Sequence, residues 1–497
     1  MKGKSAILKT AIAGFAWALA VLGMGPQLAA RELPPAVPPP EAISFRLPEV
    51  HRLPNGLRVV LIERHDLPLL TLYAIVERGA EADPPNLPGM AEMVADLLPE
   101  GTETRSAVEI ARAIDQAGGN INTGAGWDES YANVSLLSDH KELAFNLLAD
   151  MLIHPAFAPS EIERIRRQTL SALDVVTEDP GYMADVVLRR FLYAGTPYAH
   201  SADGTPEAIR HITRKDLAAF HAQNYEPSRT ILAVVGDITG PQCLALATRF
   251  FGAWKNNPES RPQPPIRLPA PRARQVIVIN KPNAVQTEIR VANLAIPRSS
   301  PDYYALTVAN QVLGGPAANR LFDALRTRRG LVYGASSDLK CNSSSGAWVA
   351  KTSTRSAESI KATEIVLRQM EQMRSYPINE DELQTAQSYL IGHQALDFES
   401  PSQIANQVLE LMMYHLPLDY WNQYAQHIRA LSTADVLSAT QKYLLPDDDV
   451  IVLVGNVSAF RNNLHKLGPV QVIPIAEAAR AFPNVEKGSA AHSEPGE

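Results

Sequence analysis

The sequence predicts an α+β protein made of two tandem homologous domains, each an antiparallel sheet flanked by helices. Apolar residues follow the alternating pattern of strands in some segments and the helical repeat in others. One stretch of the chain recurs once, and a proline-rich run separates its two copies. These observations indicate a duplicated domain with a linker between the copies.

The first half contains turn-bounded strands and amphipathic helices. Asn55-Gly56 is a turn signal, and Leu57–Ile62 after it has the β-branched content of a strand. Pro88-Gly89 opens a helical pattern that Pro99 and Gly101 close. The predicted strands are 57–62, 70–76, 131–137 and 230–235, and the predicted helices are 88–98, 107–117, 141–152, 160–176 and 214–223.

The duplication is visible in Ile209–Ile238 and Ile428–Val457, which align without a gap. Each copy shows a helix, a turn that contains proline, and an apolar strand that ends in Gly. Between the copies, six prolines fall within residues 256–274, too many for a regular element. The predicted organisation is a signal peptide (1–30), a Pro-rich leader (31–43), an N-terminal domain (44–255), a linker (256–274), a C-terminal domain (275–470) and a partly disordered tail (471–497).

Composition excludes several classes of function. The formal net charge of -7 provides no basic surface for phosphates, so we expect no nucleic-acid partner. The chain has two cysteines, Cys243 and Cys341, far apart in sequence. Neither a disulfide framework nor a thiolate zinc site is expected from them.

The N-terminus has the three parts of a secretory signal. Lys2, Lys4 and Lys9 form a basic start, Ala11–Gly23 is apolar, and Ala29-Ala30 offers a small-residue cleavage site. An uncleaved anchor is the alternative, but the apolar run is shorter than the roughly 20 residues that cross a bilayer. We therefore expect a periplasmic or secreted protein that is soluble and has no membrane contact after cleavage.

Local motifs resemble those of the insulinase, pitrilysin and mitochondrial processing peptidase family. The match begins at 55–60, continues with Pro88-Gly89-Met90-Ala91, and ends with Glu100-Gly101-Thr102. In that family the intervening helix carries an inverted zinc motif, His-x-x-Glu-His, whose two His bind zinc while the Glu activates water. The resemblance implies a peptidase fold in which this chain forms half of a clam-shell chamber.

The zinc motif itself is missing. Glu92, Ala95 and Asp96 stand at its three positions, and the family's third ligand falls near Ser171-Ala172. We therefore predict no metal and no cofactor in this chain. Glu92 and Asp96 as ligands for a hard cation is an alternative, but two carboxylates are few for ions that take six or more oxygens.

Two further features match the family. In Leu325–Tyr333, Arg326 and Tyr333 resemble an Arg and Tyr signature that binds substrate carbonyls and stabilises the oxyanion, with Gly330 as a left-handed helix cap. Spacing alone does not distinguish Arg326 from Arg328 or Arg329. The segment 118–125 resembles a strand that pairs with extended substrate, which implies that Asn122, Thr123 and Gly124 bind peptide.

Three functions follow from these features. The first is a non-catalytic subunit that supplies Arg326 and Tyr333 to a zinc site on a homologous partner chain, giving a heterodimer that hydrolyses peptides and is inactive without its zinc-bearing partner. The second is a binding or scaffolding protein with a peptidase fold and no role in proteolysis. The third is an enzyme with an unforeseen metal at Glu92 and Asp96.

Overall fold

Two sheets organise the residues that the structure describes. The computed structural model describes residues 44–260, 266–269, 273–316 and 318–478. The predicted signal peptide, the leader and most of the predicted tail lie outside these residues, as does part of the linker. No helix in the described part of the chain is both long and apolar enough to cross a membrane.

The first half contains six strands and eight α-helices in its described residues. The strands are β1 (Glu49–Arg52), β2 (Arg58–Glu63), β3 (Leu69–Val76), β4 (Asn120–Ala125), β5 (Ser130–Leu137) and β6 (Thr230–Gly236). The helices are α1 (Met90–Leu97), α2 (Ala107–Gln116), α3 (Lys141–Ile153), α4 (Pro159–Val176), α5 (Pro180–Leu192), α6 (Pro206–His211), α7 (Arg214–Asn224) and α8 (Gly240–Phe251).

The second half repeats this arrangement. Its strands are β7 (Gln275–Asn280), β8 (Gln286–Ala295), β9 (Val332–Cys341), β10 (Gly346–Arg355), β11 (Val450–Gly455) and β12 (Val470–Pro474). Its helices are α9 (Tyr303–Gly314), α10 (Arg320–Phe322), α11 (Ser359–Ser375), α12 (Glu380–Gln394), α13 (Pro401–Met413), α14 (Tyr420–Ala430), α15 (Thr433–Tyr443) and α16 (Ile475–Ala478). β12 continues past residue 470, where the sequence predicted the end of the domain.

The two sheets share the order of five strands and differ in the sixth, an edge strand. The first is β1-β2-β6-β3-β5-β4 and the second is β12-β7-β11-β8-β10-β9. In each sheet the hairpins are antiparallel, and one pair of central strands is parallel: β2 with β6, and β7 with β11. The edge strand β12 also pairs in parallel with β7. The two-domain α+β prediction is confirmed, and the sheets are mixed because these parallel pairs join strands distant in sequence.

The recurring sequence segment folds in the same way in both halves. Thr213 and Ser432 each cap a helix, α7 and α15, through a capping box with Asp216 and Asp435. A turn that contains proline then leads into β6 or β11, whose residues are all buried. The repeat therefore preserves the helix start and the central strand of each domain.

Each sheet is covered on one face by a helix from the other half. α5 of the first half packs on β8 and β11, and α13 of the second half packs on β3 and β6. The α5 side chains Val187 and Leu188 are buried against strands of the second sheet. Val408 and Leu409 of α13 are buried in the cluster that includes apolar residues of β2 and β6.

Polar contacts reinforce this exchange. Arg290 of β8 donates to the Asp185 carboxylate of α5 at 2.8 Å. Asp128 accepts hydrogen bonds from the Tyr198 hydroxyl and from the backbone N–H of Ser343 in the second half, both at 2.6 Å. The described residues accordingly belong to one compact unit that contains both sheets.

Reciprocal burial predicts that the two halves unfold together. Leu188→Ala in α5 and Leu409→Ala in α13 should each lower the free energy of unfolding by about 2–5 kcal/mol, the usual cost of a buried leucine truncation. Urea denaturation followed by circular dichroism should show one transition for each variant. The control is Val175→Ala, because that side chain is 70% exposed. Two separate transitions, only one of them shifted, would contradict the interdependence.

Candidate functional site

Helix α1 carries the positions of the family's zinc motif, and its first turn is tightly held. Gly89 precedes the helix with φ of 91°, a left-handed conformation that favours glycine. The Asp83 carboxylate accepts hydrogen bonds from the N–H groups of Gly89 and Ala91 at 2.7 and 2.8 Å. Burial raises the pKa of Asp83 to about 7. This buried cap fixes the start of α1 and has no counterpart in the sequence motifs.

The three motif positions bear no zinc ligand set. An oxygen of Glu92 accepts a hydrogen bond from the backbone N–H of Ala125 in β4 at 2.5 Å. Ala95 is completely buried, and Asp96 is partly buried one turn after Glu92. Burial, with a contribution from Asp96, raises the pKa of Glu92 to about 7, and burial raises that of Asp96 to about 6. Glu92 thus connects the helix to a strand, and none of the three side chains has an imidazole nitrogen.

The position of the third ligand also lacks a donor. Ser171 and Ala172 are exposed on α4, which packs on α1. No group of three or more His, Cys, Asp or Glu side chains in the described part of the chain is arranged to hold a metal ion. The donor set does not fit the zinc that the family implies, because neither a hydroxyl nor a methyl group replaces a carboxylate ligand.

Strand β4, the predicted peptide-binding strand, forms an edge of the first sheet among the described residues. The Ala125 N–H points outward to Glu92, so by alternation the backbone groups of Ile121 and Thr123 also face the open edge. Asn122 and Gly124 direct their backbone groups toward β5 instead. Of the three predicted substrate residues, Thr123 therefore presents backbone groups for pairing, and Asn122 is exposed through its side chain.

Gly124 has a packing role. A Cβ atom at this position would lie 2.6 Å from the Tyr131 hydroxyl oxygen. The ring of Tyr131 occupies that space and lies near the carboxylates of Glu92 and Asp96, both of which raise its pKa after the larger effect of burial. A glycine is needed here to admit the ring beside the edge strand.

The Arg and Tyr signature lies at the start of β9. The Arg326 guanidinium is 5.7 Å from the centre of the Tyr333 ring and donates to the Val332 carbonyl at 3.3 Å. Tyr333 is 88% exposed. The structure therefore brings the two predicted residues together on an open surface, where both present hydrogen-bond donors to an approaching carbonyl or oxyanion.

The three neighbouring arginines have different contacts. Arg328 forms an ion pair with Asp323 at 2.6 Å, and Arg329 donates to the Ala324 carbonyl at 2.8 Å. Arg326 is the one whose guanidinium approaches the Tyr333 ring. Among the three candidates, this geometry favours Arg326 as the partner of Tyr333.

A π-helical turn underlies this arrangement. The sequence predicts one helix over Asn319–Arg329, whereas α10 ends at Phe322 and Asp323–Thr327 form a π-helical turn. The hydrogen bond that defines this turn spans five residues: the Arg328 N–H donates to the Asp323 carbonyl at 2.9 Å. Gly330 then adopts φ of 60°, as the predicted left-handed cap requires. Single π turns are often found at functional sites.

The fold and this geometry define a class of protein: a two-domain peptidase fold whose described residues offer no set of zinc ligands. The description "Insulinase (Peptidase family M16)" matches residues 58–204, and "Peptidase M16 inactive domain" matches residues 211–390. A crystal structure of a peptidase M16 inactive domain from Pseudomonas fluorescens is similar, with 30% identity and a TM-score of 0.77 over 82% of this chain and 98% of that one. The chain belongs to the insulinase family of peptidases, family M16.

Other relatives bear contrasting names. A "non-peptidase homolog YmxG" of Helicobacter pylori is 24% identical over 82% of this chain and 94% of its own length. An "uncharacterized zinc protease" of Mycobacterium leprae is 28% identical over 59% of this chain and 66% of its own length. A solved protease structure from Helicobacter pylori shares the fold at a TM-score of 0.74 and 20% identity, over 82% of this chain and 99% of that one. With the replaced ligand positions, these findings are consistent with a non-catalytic peptidase-fold protein.

The raised pKa of Glu92 predicts a pH effect on stability. The pKa is raised from 4.5 to about 7, so between these values the folded state holds a proton that the unfolded state has lost. The contribution of Glu92 to the free energy of unfolding should therefore fall as pH rises from about 5 to about 8. Glu92→Gln keeps an oxygen acceptor for Ala125 but does not titrate, so over this range the free energy of unfolding of the wild type should decrease by about 1–3 kcal/mol relative to that of the variant.

Urea unfolding of both proteins at several pH values measures this difference. Glu103→Gln removes one carboxylate from an exposed position and is the control. Parallel pH profiles for the wild type and Glu92→Gln would show that Glu92 does not bind a proton in this range.

Proposed function

We propose that this chain is the non-catalytic subunit of an exported two-chain zinc metallopeptidase that acts on peptides or proteins. The observation that supports the proposal is that one part of the family's active site is replaced in this chain and another part is present. The zinc positions hold Glu92, Ala95 and Asp96, while Arg326 and Tyr333 lie together and exposed. A surface pair able to stabilise an oxyanion has a use in hydrolysis only where another chain supplies the metal and the water.

In this proposal the partner is a homologous chain that bears His-x-x-Glu-His and one zinc ion. The two chains form a heterodimer in which each contributes half of a clam-shell chamber. The Arg326 guanidinium and the Tyr333 hydroxyl donate hydrogen bonds to substrate carbonyls and to the oxyanion that forms at the partner's zinc. The open edge of β4 binds extended peptide through the outward backbone groups of Ile121 and Thr123.

The partner can be identified by tagging this chain in its native cell envelope and analysing the co-purified proteins by mass spectrometry. A co-purified chain with the His-x-x-Glu-His motif is the expected result. Arg326→Ala in the reconstituted pair should lower kcat by about 10²–10³-fold, the usual effect of removing an oxyanion donor. Arg52→Ala, an exposed arginine of β1, is the control.

Tyr333→Phe removes the hydroxyl group and keeps the aromatic ring. This variant should also lower kcat while the pair still assembles. Hydrolysis by this chain alone would contradict the proposal. Full activity of an assembled Arg326→Ala pair would also contradict it.

A second candidate function is a binding or scaffolding protein that takes no part in proteolysis. The relative named as a non-peptidase homolog favours it. Under this alternative, an assembly purified with the chain contains no active peptidase, or its peptidase is unaffected by Tyr333→Phe. Deletion of the whole chain would still disrupt that assembly.

Export is part of the proposal, with a periplasmic or secreted location. Cleavage after Ala30 should leave Arg31 as the first residue of the mature protein. N-terminal peptide mapping of protein purified from its native host tests this expectation. A mature chain that retains Lys2 and Lys4 and is found with cytoplasmic markers would contradict it.

A further inference from the structure

A second candidate site lies on the segment that carries the Arg and Tyr signature. A cavity of about 610 Å³ is lined by residues from the end of α9, from α10 with the π-helical turn, from α11 and from the start of α12. This volume falls within the range of small-molecule sites. We call it the Arg329–Arg368 cavity after two of the residues that line it.

Four arginines line the cavity, and two of them are neutralised by carboxylates. Arg320 forms a bidentate pair with Glu382, both of its contacts being 2.7 Å long. Arg328 pairs with Asp323 at 2.6 Å. These pairs place a carboxylate beside each of the two guanidinium groups and leave little free charge.

The other two arginines, Arg329 and Arg368, have no carboxylate partner among the described residues. Arg329 uses one N–H to bond the Ala324 carbonyl, which leaves its other donors available. Arg368 is exposed on α11, next to the amide side chain of Gln369 and one turn from that of Gln372. The third acid of the lining, Asp381, is exposed in the first turn of α12.

We infer that the Arg329–Arg368 cavity binds a small oxyanion, either a carboxylate or a phosphate. Guanidinium groups match the planar geometry of such oxygens and form two parallel hydrogen bonds with them. Here they come from two different elements and face one cavity together with amide donors. An oxyanion would pair with Arg329 and Arg368 in the way that Glu382 pairs with Arg320 and Asp323 pairs with Arg328.

The location connects this cavity to the Arg and Tyr pair. Arg329 lies between Arg328, whose backbone N–H closes the π-helical turn, and Gly330, whose N–H donates to the Arg326 carbonyl at 2.9 Å. A ligand held by Arg329 would therefore bind a side chain of the same short segment that positions Arg326. Occupancy should make this segment more rigid, whether or not a partner chain is present.

Isothermal titration of the purified chain with inorganic phosphate and with succinate tests the inference. Sodium chloride at matched ionic strength controls for general salt effects. Saturable binding of at least one oxyanion is expected, and the anion that binds distinguishes a phosphate site from a carboxylate site. Arg329→Gln and Arg368→Gln should each weaken that binding by about tenfold or more, the effect of losing a charged hydrogen bond.

Arg167→Gln, an exposed arginine of α4, is the matched control and should bind like the wild type. Arg368→Lys keeps the charge and should bind with intermediate affinity, so it separates loss of the site from loss of the fold. In hydrogen-exchange mass spectrometry, the bound anion should slow exchange in residues 319–331.

Two results would overturn the inference. One is the absence of saturable binding by the folded wild type. The other is equal affinity of the wild type, Arg329→Gln and Arg368→Gln. Neither result bears on the proposed subunit role, which depends on Arg326 and Tyr333.

Discussion

The exchange of helices between the two halves is the constraint on which the rest of this structure depends. The central strands β6 and β11 are apolar on both faces, so each sheet must be covered by other elements on both of its faces. The helices of one half cover one face, and α5 or α13 from the other half covers the second. Without the other domain, each sheet would expose one apolar face to solvent. This mutual burial fixes the positions of the elements that carry the candidate site.

Loss of the zinc ligands is tolerated because α1 is held in other ways. The Asp83 cap fixes the first turn, and a Cβ atom at Gly89 would lie 2.8 Å from the Gly204 Cα, so the backbones meet closely there. Glu92 stands at the position of the family's first His, and its carboxylate accepts a hydrogen bond from the edge strand β4. The helix of the zinc motif is thereby kept as a structural element after its chemistry has gone, which is typical of a non-catalytic member of a peptidase family.

The segment from α10 to β9 is maintained differently. It contains a π-helical turn, an exposed ion pair between Asp323 and Arg328, and a left-handed Gly330. The turn contains Arg326, whose guanidinium lies 5.7 Å from the centre of the Tyr333 ring. The family features that this chain keeps on these two elements therefore differ: α1 lacks the zinc ligands, and the segment from α10 to β9 has its Arg and Tyr side by side.

Local sequence predicted what local interactions determine. The strand at 57–62, the helix and strand of each repeat copy and the cap at Gly330 depend on residues near one another in the chain, and the structure has all three. The replacement of the zinc motif could also be predicted from the sequence, because the motif has a fixed spacing and its positions can be compared directly. These features needed no knowledge of the tertiary fold.

Long-range packing accounts for what sequence reasoning missed. The pattern of α5 shows an apolar face but does not say which sheet that face will cover. The direction of the backbone groups of β4 depends on its register with β5, and the burial of Asp83 depends on the loops around α1. The π-helical turn differs from an ordinary helix by one hydrogen-bond step, which composition does not encode.

The zinc content of the isolated chain, measured after purification in zinc-containing buffer, tests whether this chain lacks a metal centre. We expect less than about a tenth of an equivalent, because the described residues provide no set of zinc ligands. We also expect no peptide hydrolysis by the same sample. One tightly bound zinc ion per chain, released when Glu92 and Asp96 are replaced by alanine, would contradict a non-catalytic role.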